Sequence, residues 1–157
     1  MRNKSDRVRA QSSLELLITV SFALIILLPI VMLAFVQIAS STSNLAVGEA
    51  QAAATKLAET AVNVGAQGYP AKQLVLIDMP TNMQQVIIGN AVGGVGREII
   101  FVVSTNGGPS DAIAYVPLNV TTTTSLPLSQ GTYLVNVTAT TSCPKGPPVP
   151  CVEIQST

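Results

Sequence analysis

The sequence predicts an α+β protein in which a long N-terminal hydrophobic α-helix is followed by a small antiparallel β-sandwich or barrel domain. Residues 16–36 contain no charged side chain, and small or apolar residues then recur at a spacing of three and four along residues 45–64. From residue 72 onward, short runs rich in Val, Ile, Thr and Tyr alternate with turn signals. We therefore divide the chain into a leader at residues 1–10, a long helix at residues 11–66 and a C-terminal β-domain at residues 67–157.

The first ten residues are basic, with a net charge of +3, because they carry Arg2, Lys4, Arg7 and Arg9 against Asp6. The 21 uncharged residues that follow Glu15, at positions 16–36, match the roughly 20 that a helix needs to cross a membrane. Basic residues on the N-terminal side hold that side in the cytoplasm, so the rest of the chain faces outward. The apolar run exceeds the roughly 7–15 residues of a secretory signal, which favours an uncleaved membrane anchor.

Residues 11–17 read Gln-Ser-Ser-Leu-Glu-Leu-Leu. This pattern resembles the Q-x-S-x-E-x-L box of the class III signal peptides that archaeal type IV pilin precursors carry. The resemblance implies that a prepilin peptidase cuts between Ala10 and Gln11, on the cytoplasmic side, and that the apolar helix stays on the mature protein. Many members of the family have Gly before the cut, where this chain has Ala10, so the chain departs from the pattern at the cut itself.

Glu15 is a carboxylate at the start of an apolar helix, where a charge is costly. It becomes the fifth residue of the mature chain, and in type IV pilins a glutamate at this place is thought to neutralise the N-terminal amine of a neighbouring subunit. A buried carboxylate and ammonium cost less as a pair than apart. The other interpretation is a carboxylate that reaches the membrane surface, aided by the positive N-terminus of the helix.

We expect one continuous helix from about residue 13 to residue 64, roughly 75–80 Å long, because the Ser-rich residues 40–43 contain nothing that stops a helix. Gly65 and the Gly68-Tyr69-Pro70 sequence supply the stop. Pro29 removes one backbone hydrogen bond within the apolar run. It is either a harmless kink or a flexible point that lets the helix bend as it leaves the membrane and packs.

The C-terminal half predicts several short strands at near-regular spacing. Residues 133–138 alternate between apolar and polar, which is typical of a strand with one buried face, whereas the continuous apolar run at residues 98–103 favours a central strand. A long helix followed by a small β-domain also resembles the layout of archaeal pilins and archaellins. The predicted strands are residues 73–77, 84–88, 98–103, 112–116, 118–122, 133–140 and 152–155.

Composition excludes several functions. Charged residues make up 10% of the chain, against about a quarter in an ordinary soluble protein, which favours a subunit covered by its neighbours or by glycans. Outside the leader the net charge is −3, so we expect no nucleic-acid partner. The chain has no His, and its acids show no spacing typical of acid–base catalysis. We expect neither enzymatic activity, nor a cofactor, nor a metal site.

Cys143 and Cys151 flank a proline-rich loop, and two cysteines this close outside the cell predict a disulfide. Without His they are a poor metal-ligand set. Asn119 and Asn136 each begin an N-x-Thr sequon for N-glycosylation. The four threonines at 121–124 are either O-glycosylation sites or a polar β-run.

The sequence thus predicts a structural subunit of an archaeal type IV, adhesive pilus. The resemblance implies identical subunits, a prepilin peptidase and a membrane assembly platform with its ATPase as partners. The precursor would lie in the cytoplasmic membrane with its N-terminus in the cytoplasm, and the mature subunit in an extracellular filament. The alternatives are a single-pass membrane-anchored β-domain at the cell surface and an archaellin-type motility filament.

Overall fold

The computed structural model describes the backbone of residues 4–90 and 94–157 and the side chains of residues 14–90 and 94–157. Within these ranges, one helix is followed by six strands, so the predicted α+β layout is confirmed. The chain forms two compact units, Met1–Ser41 and Thr42–Thr157. The predicted boundary between the helix and the β-domain, after residue 66, lies next to the last residue of the helix, Gln67. That domain boundary stays a prediction. The elements are α1 (Lys4–Gln67), β1 (Lys72–Met79), β2 (Met83–Gly89), β3 (Gly96–Thr105), β4 (Gly108–Thr121), β5 (Gly131–Thr140) and β6 (Cys151–Ser156).

The helix α1 is continuous over 64 residues, through both Pro29 and the Ser-rich residues 40–43. It ends at Gly68, whose φ of 70° is a left-handed conformation that favours glycine. The Gly68 amide donates to the carbonyl oxygen of Val64 at 3.2 Å, which caps the last turn. Gly65 does not stop the helix. A Cβ atom at Gly65 would overlap the side chain of Leu118, so this glycine allows the helix to approach β4.

The six strands form one mixed sheet in the order β1-β5-β6-β4-β3-β2. Two antiparallel groups, β1-β5-β6 and β4-β3-β2, are joined by a short parallel pairing of Val120 and Thr121 on β4 with Val152 and Glu153 on β6. The sheet is therefore antiparallel, as predicted, except at this junction. The strand at residues 98–103 lies centrally, within β3, as its continuous apolar run predicted.

The strand β4 combines two predicted strands, 112–116 and 118–122, into one element. Its first part pairs with β3, and the β3–β4 register shifts between Gly96 and Glu98, opposite the part of β4 that contains Pro117. Proline has no N–H for a ladder bond and is tolerated at such irregular points. Beyond it, Val120 pairs with Gly96 of β3 on one side and with Val152 of β6 on the other, and Thr121 pairs with Glu153 of β6. The break predicted between these two strands is thus an irregularity within one strand, after which β6 joins as a second partner.

The core of the Thr42–Thr157 unit lies between one face of α1 and one face of the sheet. The helix contributes mostly alanines, and Leu57 is its largest fully buried side chain. Small side chains allow a helix to lie close to a sheet, so the large core residues come from the strands. The buried strand residues include Val75, Ile77, Ile99, Phe101, Val103, Val116, Val135, Val137, Val152 and Ile154.

We predict that Leu57→Ala lowers the free energy of unfolding of the detergent-solubilised protein by about 2–5 kcal/mol, because Leu57 is fully buried and its truncation leaves a cavity. Leu45→Ala is the matched control on the same helix, since Leu45 is 63% exposed. Urea denaturation followed by circular dichroism measures both variants. An equal loss of stability in the two would contradict the described packing of α1.

Candidate functional site

The N-terminal half of α1 is an exposed apolar segment. Every side chain that the structure describes between residues 14 and 38 is exposed. Eighteen of them are large and apolar, and their exposed fractions run from 48% to 70%. Each such side chain left in water costs about 1.5–3 kcal/mol relative to burial. We call residues 14–38 the exposed apolar segment; its surface requires an apolar environment on all sides.

Within the described residues, one helix is long and apolar enough to cross a membrane, and it includes this segment. Its most apolar part has none of its surface buried in the protein. A core helix of a soluble domain would instead be covered by its own fold. The segment is therefore compatible with anchoring in a membrane.

Glu15 lies at the start of the exposed apolar segment and is itself exposed. Because α1 begins at Lys4, Glu15 stands well inside the uncut helix, and the favourable effect of a helix N-terminus fades within the first turn. The helix dipole would therefore stabilise the Glu15 carboxylate only if the helix N-terminus lay close to Glu15, as it would after the predicted cut. The Thr19 hydroxyl donates to the backbone carbonyl oxygens of Glu15, at 3.1 Å, and Leu16, at 2.9 Å. The side chains of Ala10 and Gln11, at the predicted cut, lie outside the described residues.

Pro29 lies at the middle of the exposed apolar segment and inside an unbroken helix. Its ring removes the hydrogen bond that its N–H would donate to the carbonyl oxygen of Ile25. Such a freed carbonyl is tolerated in membrane helices when a neighbouring group supplies a donor. The continuity of α1 fits the interpretation of Pro29 as a tolerated interruption, and a role in bending during assembly stays a prediction.

The sheet has an exposed apolar patch on its outer face that the sequence did not predict. Leu74 and Leu76 on β1 are 58% and 54% exposed, and Leu134 on β5, opposite Leu76 in the register, is 40% exposed. The signal was the sequence Leu74-Val75-Leu76-Ile77, in which both faces of the strand are apolar. Such a run is typical of a central strand buried on both faces. β1 is instead an edge strand, and only its face bearing Val75 and Ile77 is buried.

The two predicted glycosylation sequons differ in their surroundings. Asn119 is half-buried, and the hydroxyl of its partner Thr121 is fully buried and has no hydrogen-bond partner in the described structure. Asn136 is half-buried on β5, and the Thr138 hydroxyl donates to its side-chain oxygen at 3.4 Å. Modification of either asparagine stays a prediction.

The threonines at 122–124 lie beyond the end of β4 at Thr121, so the predicted β-run does not extend through them, but they form hydrogen bonds with β6. O-glycosylation of these threonines stays a prediction. The Thr122 hydroxyl donates to the carbonyl oxygens of Thr124, at 2.6 Å, and Ile154, at 2.7 Å. The Thr123 hydroxyl donates to the carboxylate of Glu153 at 2.7 Å. The Ser156 amide donates to the Thr124 hydroxyl at 3.3 Å. Hydrogen bonds to β6 thus extend the parallel junction beyond the end of β4.

The two cysteines are joined by a disulfide in the structure, as expected, and both are buried. Their Cα atoms are 5.5 Å apart, and the Cys143 amide donates to the carbonyl oxygen of Val149 at 3.1 Å. The bridge closes the proline-rich loop at the start of β6. Among the described residues, no group of three or more His, Cys, Asp or Glu side chains could hold a metal ion.

We predict that the double variant Cys143→Ser/Cys151→Ser loses about 2–3 kcal/mol of unfolding free energy, because the bridge restricts a loop of about nine residues in the unfolded chain. Urea denaturation with and without a reductant measures the effect. The reductant should destabilise the wild-type protein and leave the variant unchanged. A wild-type midpoint that is insensitive to complete reduction would contradict this role of the bridge.

Comparison of the chain with protein-family models, with curated proteins and with solved structures finds no match.

Proposed function

We propose that this chain is the structural subunit of an archaeal type IV pilus and that it polymerises through the exposed apolar segment of α1. The single observation that carries the proposal is the exposure of apolar side chains around the whole circumference of residues 14–38. A sheet or a groove covers one side of a helix. Lipid, or a bundle of like helices, covers all sides. A pilus subunit needs both environments in turn, lipid before assembly and helices afterwards.

Glu15 favours a filament over a permanent anchor. A membrane anchor gains nothing from a carboxylate at the start of its apolar run, and a charge there is costly. The chain also places that carboxylate at the fifth position after the predicted cut, within a box that resembles the class III signal peptide. Cleavage before Gln11 would create an ammonium group, and a buried carboxylate and ammonium are each compensated by the other.

The C-terminal unit fits the outer surface of such a filament. It carries six acids and four bases in residues 42–157, few for a domain that stands alone in water. Neighbouring subunits would cover part of its surface, and the remainder would face the exterior and support adhesion. The partners would be identical subunits, the prepilin peptidase, and a membrane platform driven by its ATPase.

A single-pass membrane-anchored surface protein is the second candidate, because the same segment is long and apolar enough to cross a membrane. It requires neither cleavage nor Glu15. An archaellin-type motility filament is a variant of the first candidate, with the same helix packing and different assembly partners. Swimming assays on cells that lack this chain separate a motility filament from an adhesive one.

Intact-mass measurement of the protein from its native cells, with electron microscopy of the cell surface, tests the proposal. We expect a mature chain that begins at Gln11 and is recovered in surface filaments. Peptide identification from purified filaments ties the filament to this chain. A chain that keeps Met1 and stays a monomer in detergent would support the anchored surface protein and overturn the filament.

We further predict that Glu15→Gln reduces filament yield by about a hundredfold or more, since removal of one partner of a buried ion pair costs about 3–5 kcal/mol. Glu59→Gln is the matched control, because Glu59 is an exposed glutamate of the same helix outside the exposed apolar segment. Filament mass sheared from cells, relative to total protein in the membrane, gives the measurement. Normal filament yield from Glu15→Gln would remove the assembly role of this carboxylate.

A further inference from the structure

The strand β1 presents an open edge with unpaired backbone groups. It is the first strand of the sheet, and among the strands that the structure describes it pairs with β5 alone. The Ala139 amide donates to the carbonyl oxygen of Ala71 at 2.9 Å, so odd-numbered residues of this segment direct their backbone groups toward β5. The alternation of an antiparallel ladder then directs the N–H and C=O groups of Lys72, Leu74, Leu76 and Asp78 away from β5, toward the open edge.

The residues with free backbone groups also carry exposed side chains. Lys72 and Asp78 are exposed, and Leu74 and Leu76 between them are more than half exposed. Leu134 lies beside Leu76 on β5 and extends this apolar patch. A long edge strand with an apolar middle favours pairing with another strand. The other edge strand, β2, is largely buried or half-buried, so β1 is the more accessible of the two.

The sequence of β1 is self-complementary about Val75. Residues 72–78 read Lys-Gln-Leu-Val-Leu-Ile-Asp. When a second copy runs antiparallel with Val75 opposite Val75, Leu74 faces Leu76 of the other copy. In the same register, Lys72 faces Asp78 of the other copy. Both ends of the pairing then carry opposite charges, and its middle is apolar.

We propose that the β1 edges of two copies of this chain pair antiparallel about a two-fold axis at Val75, which joins their two sheets into one. The backbone geometry agrees with this register. Leu74 and Leu76 both direct their N–H and C=O groups to the open edge, so they form hydrogen-bonded pairs across the axis. The contact is isologous, because each copy contributes the same surface.

The charges define the register. A shift by two residues in one direction places Lys72 opposite Leu76, and a shift in the other direction places Asp78 opposite Leu74. Each leaves charges beside leucines and loses both ion pairs. Asp78 also accepts a hydrogen bond from the Thr132 hydroxyl at 2.6 Å, through one carboxylate oxygen, and its second oxygen is available to Lys72 of the other copy. On α1, Glu49 and Lys56 line a crevice with Asp78 and contribute opposite charges there.

This contact differs from the packing within a filament. Subunits along a filament are related by a repeated head-to-tail operation, whereas a two-fold contact closes on itself. In a pilus it would therefore join subunits of two adjacent filaments, side by side. Only this bundling consequence rests on the proposed function, since two chains in a membrane can form the same contact.

Cysteine cross-linking of the full chain in its native membranes or filaments tests the register. We expect Leu74→Cys and Leu76→Cys chains, differently tagged and produced together, to form a disulfide-linked heterodimer on mild oxidation. Neither variant alone should form a homodimer, because Leu74 opposes Leu76 and not itself. Homodimers of Leu74→Cys alone, of Leu76→Cys alone, or no cross-link at all would each overturn the proposed register. The wild-type chain, whose cysteines are bridged to each other, is the control.

Charge reversal supplies an independent test. We expect Lys72→Glu and Asp78→Lys each to reduce the heterodimer cross-link by about threefold to tenfold, and the two together to restore it. Lys145→Glu reverses the charge of an exposed residue outside β1 and should leave the yield unchanged. Failure of the combined variant to recover would overturn the ion pair.

The cross-link and the filament test different proposals. Filaments without the cross-link would refute this contact alone, whereas the cross-link in chains that form no filament would refute the pilus alone.

Discussion

The constraint on which the rest of this molecule depends is that residues 14–38 are apolar on every side of the helix. A helix with one apolar stripe can bury that stripe within its own domain. This segment cannot bury all of its apolar surface in that way, because its exposed large side chains surround the whole helix axis. Contact with lipid or with other chains would cover this surface. The basic leader, the low charge of the chain and the lone carboxylate at Glu15 are all consistent with a chain that exchanges one apolar environment for another.

The second half of α1 has a different distribution of apolar residues. There the apolar positions lie on one face, and most are alanines that pack on the sheet. Alanine and Gly65 bring the helix close to the strands, so the larger strand residues fill the core. Exposed Glu49, Lys56 and Glu59 occupy the other face. One continuous helix thus carries two patterns, apolar all round and then amphipathic, and the change of pattern separates the part that needs partners from the part that folds with its own sheet.

Much of the fold could be predicted from local patterns, and the exceptions have physical causes. The end of α1 close to the Gly68-Tyr69-Pro70 sequence and the place of β3 inside the sheet followed from residue type and apolar periodicity, whereas Gly65 was wrongly included in the stop. The parallel junction of β4 with β6 did not, because Val120 and Val152 are far apart in sequence and no local signal encodes their pairing. The edge position of β1 could not be predicted either, because apolar residues on both faces of a strand are typical of a central strand. For the candidate site, the sequence predicted the apolar segment and Glu15, whereas the accessibility of Leu74 and Leu76 required the strand order.

Threonine hydroxyls donate several of the side-chain hydrogen bonds within the C-terminal unit. Thr122 and Thr123 hold the end of β4 against β6, and Thr132 binds Asp78 at the edge of the sheet. Hydrogen bonds between neutral groups are little affected by ionic strength, whereas exposed ion pairs weaken as salt screens them. The Thr122 bond to the Ile154 carbonyl oxygen and the buried disulfide involve no charged group, so we expect changes in salt to affect these contacts little. The proposed contacts between chains, through Glu15 and through Lys72 with Asp78, would then be the ones that salt and sequence changes modulate independently of folding.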